Sequence, residues 1–244
     1  MSTDRHESVA SSTLTLSTPV VFRGHQPTAR VVSVGINPSI REFYSRSGSE
    51  LDGDNRRFET TASLGVGSVS EVTQTMGTRM RQRCLSYFEG NPYMDWFAPM
   101  ELLVRGITGT SFFDGSAYHL DLVHWATDPL WGRLSTGVQR ELLLRDRPAV
   151  VEQLDSPSLE IIYLNGTTVC DEVSCIVALS TRAAQFRGQG HKRRFYRGRH
   201  GKAMVIGCSS HIQEVRMKTT DRADFIKWII AECRSDLGAL ASNP

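Results

Sequence analysis

The sequence predicts an α/β protein: a three-layer α/β/α sandwich built on a central four-stranded parallel sheet. Three observations carry this. Four short apolar runs recur along the 244 residues, each ending in a polar turn. Helical patterns lie between them, so successive strands are joined by right-handed crossovers, which make the sheet parallel and place helices on both faces. The length and the 40% hydrophobic content suit one substantial core better than two.

Residues 1–28 show no periodic pattern and read as an irregular N-terminal arm. The first strand is Arg30–Ile36, where Val31, Val32, Val34 and Ile36 form an apolar run halted by Gly35-Ile36-Asn37-Pro38-Ser39. Pro38 has no N–H and fixes its own φ, so Asn37 before it is held extended. Val72, Met76 and Met80 recur at spacing four, continued by Cys84, Tyr87 and Phe88, and predict a helix. The second strand is Ala117–Trp125, ended by Ala126-Thr-Asp-Pro129. Val138–Leu154 reads as a helix interrupted near Pro148. Leu159–Gly166 is the third strand, Thr168–Phe186 a helix, and Lys202–Ser210 the fourth strand. Thr220–Cys233 has a cap residue, early acids and an apolar face, as a closing helix requires. Residues 29–234 thus form one expected domain, and 235–244 a frayed C-terminal tail.

Several function classes are disfavoured. No run approaches the roughly 18 apolar residues of a membrane span, and the N-terminus has no apolar signal core, so a cytoplasmic protein with no membrane partner is expected. The five cysteines are odd in number and scattered without a Cys-x-x-Cys pair, which argues for a reducing compartment and against a disulfide framework or an iron–sulfur cluster. No His/Cys/Asp grouping has metal-ligand spacing, and no phosphate-cradling glycine motif follows any strand; no metal and no cofactor are expected.

The net charge of +2 conceals a strong asymmetry. From Val173 to Gln213 there is no Asp or Glu, yet the stretch holds Arg182, Arg187, Lys192, Arg193, Arg194, Arg197, Arg199 and Lys202. The remaining 20 basic residues face all 26 acidic ones, so a local +8 sits on a −6 body. This is a footprint suited to a polyanion. His191–His200 also interleaves Phe195 and Tyr196 with the cations, which combines phosphate contacts with rings able to stack on bases. A solvated basic loop is the alternative.

The Gly35-Ile36-Asn37-Pro38-Ser39 turn resembles the first motif of the uracil-DNA glycosylase superfamily, especially the Gly-Ile-Asn-Pro-Gly of its mismatch-specific branch. The resemblance implies the same sandwich fold and an active site on the rim where the four strand-end turns meet. The superfamily's second motif, usually His-Pro-Ser-Pro, follows the last strand. Here that place holds Gly207-Cys-Ser-Ser-His-Ile-Gln213, which keeps the His and Ser types but not their order or the prolines. Some members carry an iron–sulfur cluster, which the scattered cysteines disfavour here.

From this resemblance follows an expected monofunctional DNA glycosylase, a hydrolase that cuts the N-glycosidic bond of a flipped-out pyrimidine and leaves an abasic site. Asn37 would position the attacking water with its amide oxygen, or alternatively satisfy turn backbone groups. His211 would donate to the departing base, or contact a phosphate. Gly35, Ile36 and Ser39 border the base. Phe43 or Phe58 would stack on it, with Tyr44 the third aromatic after the motif. His124 and Asn165 stand at strand ends as base-reading groups, although a core histidine is the alternative at His124. Lys192, Arg193, Arg194, Arg197, Arg199, Ser209, Ser210 and Gln213 would hold the DNA strand. Ile212 or Val215 would wedge into the vacated stack. Ser39 stands where uracil-specific members have a tyrosine beside pyrimidine C5, so a C5-modified or mismatched base fits better than uracil. The fold also resembles that of bacterial defence glycosylases that strip glycosylated hydroxymethylcytosine from phage DNA. Two other classes stay open: a catalytically silent nucleic-acid-binding protein of the same fold, and an enzyme acting on free nucleotides, for which Asp121 and Asp128 are available.

Overall fold

The computed structural model describes residue 9 and residues 11–187, 192–213 and 219–242. The chain gathers into two compact units. The first takes in residues up to Gly24, Ile36–Tyr93 and Leu120–Val150; the second takes in His25–Gly35, Met94–His119 and the residues from Val151 onward.

The sheet is α/β in character but has six strands, in the order β2-β1-β3-β6-β5-β4. These are β1 (Val31–Gly35), β2 (Ala117–Asp121), β3 (Ile161–Asn165), β4 (Leu179–Gln185), β5 (Lys192–His200) and β6 (Ala203–Cys208). β1, β3 and β6 run parallel, with Val31 opposite Ile161 and Ile161 opposite Met204. β5 runs antiparallel to both β6 and β4. The apolar runs therefore end in strands as expected, and the four-stranded count is corrected by a ribbon that the sequence hides. β4 occupies the second half of the expected Thr168–Phe186 helix, which stops at Val173. Leu-Ser-Thr-Arg-Ala-Ala-Gln is an edge strand with no buried residue, so no apolar alternation marks it. β5 is the basic segment, to which the sequence reading assigns no strand.

Two short helices in the first unit are α1 (Thr61–Leu64) and α2 (Gln74–Leu85). In the second unit, α3 (Met94–Thr108) buries Phe97, Met100, Leu103, Val104 and Ile107, a helical stripe that continues past Pro99. α4 (Thr136–Leu154), which belongs to the first unit as far as Val150, runs through Pro148, which removes one backbone hydrogen bond without ending the helix. α5 (Thr167–Val173) and α6 (Thr219–Ser242) follow. A side chain built at Gly207 would meet the Cys170 sulfur of α5 at 3.0 Å. The next residue, Cys208, instead stands opposite Phe195 of β5, whose ring lies 5.3 Å from that of Trp228 on α6. Successive strand residues point to opposite faces, so α5 and α6 cover opposite faces of the sheet. α3 packs on α6. The final helix continues to Ser242, where the sequence reading ends it at Cys233 and leaves a tail.

The first unit is centred on a buried cation. The Arg23 guanidinium donates to Glu42 at 3.1 Å and Asp121 at 2.7 Å, and the Tyr87 hydroxyl donates to the same Glu42 carboxylate at 2.8 Å. Leu14, Val20 and Phe22 are buried, so part of the expected arm is built into this unit's core.

Candidate active-site residues

Gly35 ends β1, and Asn37 stands two residues beyond it in the first unit. Val123 donates to the Ile36 carbonyl at 2.9 Å, which pins the turn. The Asn37 amide nitrogen has three acceptors: the Trp125 carbonyl at 3.4 Å, the Thr127 hydroxyl at 3.2 Å and the Pro38 carbonyl at 3.2 Å. A flipped amide would set its oxygen against two carbonyls, so the orientation is determined by the network. The amide oxygen is then the free end. Among the described residues no donor reaches it, and it is not sealed from the surface. The Ser39 hydroxyl accepts from the Arg41 N–H at 3.1 Å and caps a single 3-10 turn, Ile40–Glu42.

Phe43 and Phe58, the expected stacking rings, are corrected by burial. They are 1% and 2% exposed, and Phe58 lies stacked on Tyr87 with centroids 5.1 Å apart. A base cannot lie on either without displacing core. Of the three aromatics after the motif, only Tyr44 is part-exposed, and burial beside Glu50 and Asp128 raises its phenol. Trp125 is also part-exposed, with the Arg145 guanidinium 5.2 Å above its ring. His124 is a core histidine rather than a base reader. Its N–H donates to Asp146 at 2.8 Å, while its ring Nε2 is sealed without a partner among the described residues. Burial lowers its pKa against the opposing pull of Asp146 and Asp121.

In the second unit, the loop after β6 is tied down by Asn165. The Asn165 amide oxygen accepts from the Ile212 N–H at 3.2 Å, and its nitrogen donates to the Gln213 side chain at 3.0 Å. Gln213 in turn donates to the Trp96 carbonyl at 3.1 Å. Asn165 and Gln213 thus spend their polar atoms on the loop and not on a ligand, which corrects their expected roles in reading a base and holding a strand. Ile212 is buried and cannot act as a wedge; Val215 lies outside the described residues. The Ser209 hydroxyl accepts from the Arg194 N–H at 3.0 Å, so it closes the β5–β6 ladder. The Ser210 hydroxyl is buried without a partner among the described residues.

His211 is the member of this loop with a free ring. Its imidazole lies 4.8 Å from the Trp96 ring, and no described residue bonds its nitrogens. Gly166 has φ +98, a region closed to other residues, and a Cβ there would sit 3.5 Å from the imidazole. Burial lowers the His211 pKa to about 4, so the ring is neutral at neutral pH and offers one N–H. Trp96 was not legible in the sequence, because it belongs to a helix whose pairing with the β6 loop no spacing announces.

The basic segment departs most from its expectation. Phe195 and Tyr196 are buried and cannot stack on bases. Arg193, Phe195, Arg197 and Arg199 share the β5 face under α6, where Phe195 meets Trp228 and Arg199 donates to the Leu240 carbonyl at 2.6 Å. Acids of α6 meet several of the cations. Arg182 bonds Glu232 at 2.6 Å and Asp236 at 2.7 Å, Arg197 reaches Asp236 at 3.5 Å, and Arg187 pairs with Asp224. Arg194 lies 4.0 Å from Asp171, with both side chains more than half exposed. Lys192 is exposed and Arg193 part-exposed, and neither has a carboxylate partner among the described residues.

Among the described residues, no group of three or more His, Cys, Asp or Glu side chains is arranged to hold a metal, and no helix is long and apolar enough to cross a membrane. No protein-family model matches this chain, and no curated protein matches it either.

Proposed function

We propose that the chain is a monofunctional DNA glycosylase that hydrolyses the N-glycosidic bond of a flipped-out, C5-modified pyrimidine and leaves an abasic site. The observation that carries this reading is Asn37, whose amide nitrogen is anchored by three acceptors and whose oxygen is left open at the end of β1. In the reaction, water oxygen bonds to the anomeric carbon as the carbon–nitrogen bond breaks, and the bonding pair leaves with the base. Positive charge grows on the sugar and negative charge on the base. A preoriented amide oxygen accepts a hydrogen bond from the water and aligns it, and positioning of this kind is a major part of a rate enhancement. The proton is finally lost to solvent, since an amide is no base.

His211 has the protonation state that a donor to a departing base needs, because a neutral imidazole gives a hydrogen bond without first being charged. The resemblance of Gly35–Ser39 to the superfamily's first motif and the strand–helix alternation support the same reading. Small Ser39 supports a base with bulk at C5, of which glycosylated hydroxymethylcytosine is one example. Lys192, Arg193 and Lys202, which have no carboxylate partner among the described residues, and the half-exposed Arg194 are cations that would meet phosphates. The reading invokes DNA as partner, a cytoplasmic setting, and neither metal nor cofactor. Incubation with uracil-, thymine-mismatch- and hypermodified-base DNA, followed by alkali, tests it. Strand breaks at the modified base are expected. DNA binding without breaks would mean a silent binder, and turnover of free nucleotides alone would mean a nucleotide enzyme.

A further inference from the structure

We propose that Trp96 is a positioning residue for His211: its indole walls the imidazole off from water, and its backbone carbonyl anchors the loop that carries it. The proposal rests on the glycosylase reading only for what His211 would donate to.

Three observations meet here. The Trp96 and His211 rings are 4.8 Å apart at an interplanar angle of 58°, a contact that covers the imidazole without bonding its nitrogens. Gly166 lies next to the ring: a Cβ there would meet it at 3.5 Å, an ordinary contact distance, and it is φ +98 that reserves the position for glycine. The Asn165–Gln213–Trp96 chain of hydrogen bonds, 3.0 and 3.1 Å, ties the β3 end, the β6 loop and α3 together. His211 is therefore held by apolar surface and by its own loop, not by a hydrogen bond to its ring. That leaves both ring nitrogens for a ligand. No described charged group contributes to the lowered pKa; desolvation is its only cause. Among the described residues Trp96 is the aromatic ring in contact with the imidazole, so its removal is the informative one. A buried imidazole resists protonation because its charged form loses hydration, so exposing it restores ordinary basicity.

The test is an NMR titration of the His211 ring in the full chain, as wild type, Trp96→Ala and Trp96→Phe. Wild type is expected to titrate near pH 4. Trp96→Ala should move the midpoint upward towards the ordinary 6.5, and Trp96→Phe, which keeps a ring, should stay close to wild type. If the alanine variant does not fold, Trp96→Leu takes its place, with a midpoint between the other two. A midpoint unchanged in the truncated variant would overturn the proposal. Base-release assays on the same proteins read the function separately: a raised midpoint in proteins of which none, wild type included, releases a base supports the Trp96 role and refutes the glycosylase reading.

Discussion

Asp236 offers a quantitative test of how the basic ribbon is neutralised. The sequence places this residue in a frayed tail, whereas the structure buries it on α6 at 2% exposure. One carboxylate oxygen accepts from Arg182 Nε at 2.7 Å and lies 3.5 Å from Arg197, and the other accepts from Arg182 Nη2 at 2.9 Å. Charged hydrogen bonds contribute about 1.5–3 kcal/mol each, and removing one partner of a buried pair costs about 3–5 kcal/mol. Arg182 is 29% exposed and keeps Glu232, so the cost falls at or below the bottom of that range. Asp236→Ala should therefore destabilise by roughly 2–3 kcal/mol, or roughly 5–10 °C in Tm for a chain of this size. Urea unfolding by circular dichroism measures it. Freed Arg182 and Arg197 should also steepen the salt dependence of DNA binding, the opposite of what losing a cation does. A loss below about 0.5 kcal/mol, the level of an ordinary surface substitution, would refute the clamp and return the helix end to a tail.

Other substitutions address the remaining roles. Neutralising Arg193 and Arg194 together should weaken binding to all DNA sequences alike and lower the salt slope by up to about 2, as measured by fluorescence titration in increasing salt. Ser39→Tyr should cost about 1 kcal/mol through the lost cap, and should shift competition between modified-base and uracil DNA towards uracil; equal losses on both would remove Ser39 from the C5 side. The pH dependence of stability should carry the His211 signature. Its folded pKa of about 4 lies below the ordinary 6.5, so between these values the unfolded chain binds a proton that the folded one refuses. Stability should then fall as pH drops from 6.5 to 4, by at most about 3 kcal/mol, and the fall should shrink in His211→Gln. Parallel unfolding curves at pH 6.5, 5.5 and 4.5 decide this.

How far the sequence could be read depended on how local the determining forces are. Buried β1, β3 and β6 announce themselves as apolar runs of Val, Ile and Leu, and the Pro38 restraint on Asn37 acts between neighbours. β4 was not legible because an edge strand of Ser, Thr, Ala and Arg buries nothing. The charge run is countable in the sequence, yet its meaning depends on Glu232 and Asp236, which lie about 50 residues from Arg182 and meet it only through the fold. The same non-locality separates Phe43 and Phe58, which follow the motif but are core, from Trp96 and Trp125, which touch the candidate residues from distant segments. Asn165 ends β3 as expected, whereas β2 stops at Asp121, three residues before His124 and short of the expected Trp125. What the polar atoms of Asn165 and His124 bond to is a tertiary fact.

The central claim is that the open Asn37 oxygen positions the hydrolytic water. Single-turnover base release by wild type and Asn37→Ala, each at saturating protein over modified-base DNA, tests it most directly. The alanine variant should bind DNA with near wild-type affinity, because Asn37 supplies little contact surface, while its cleavage rate should drop by about two orders of magnitude or more, equivalent to about 3 kcal/mol of lost transition-state stabilisation. Release at the wild-type rate would make Asn37 a residue of turn structure alone and would contradict the account.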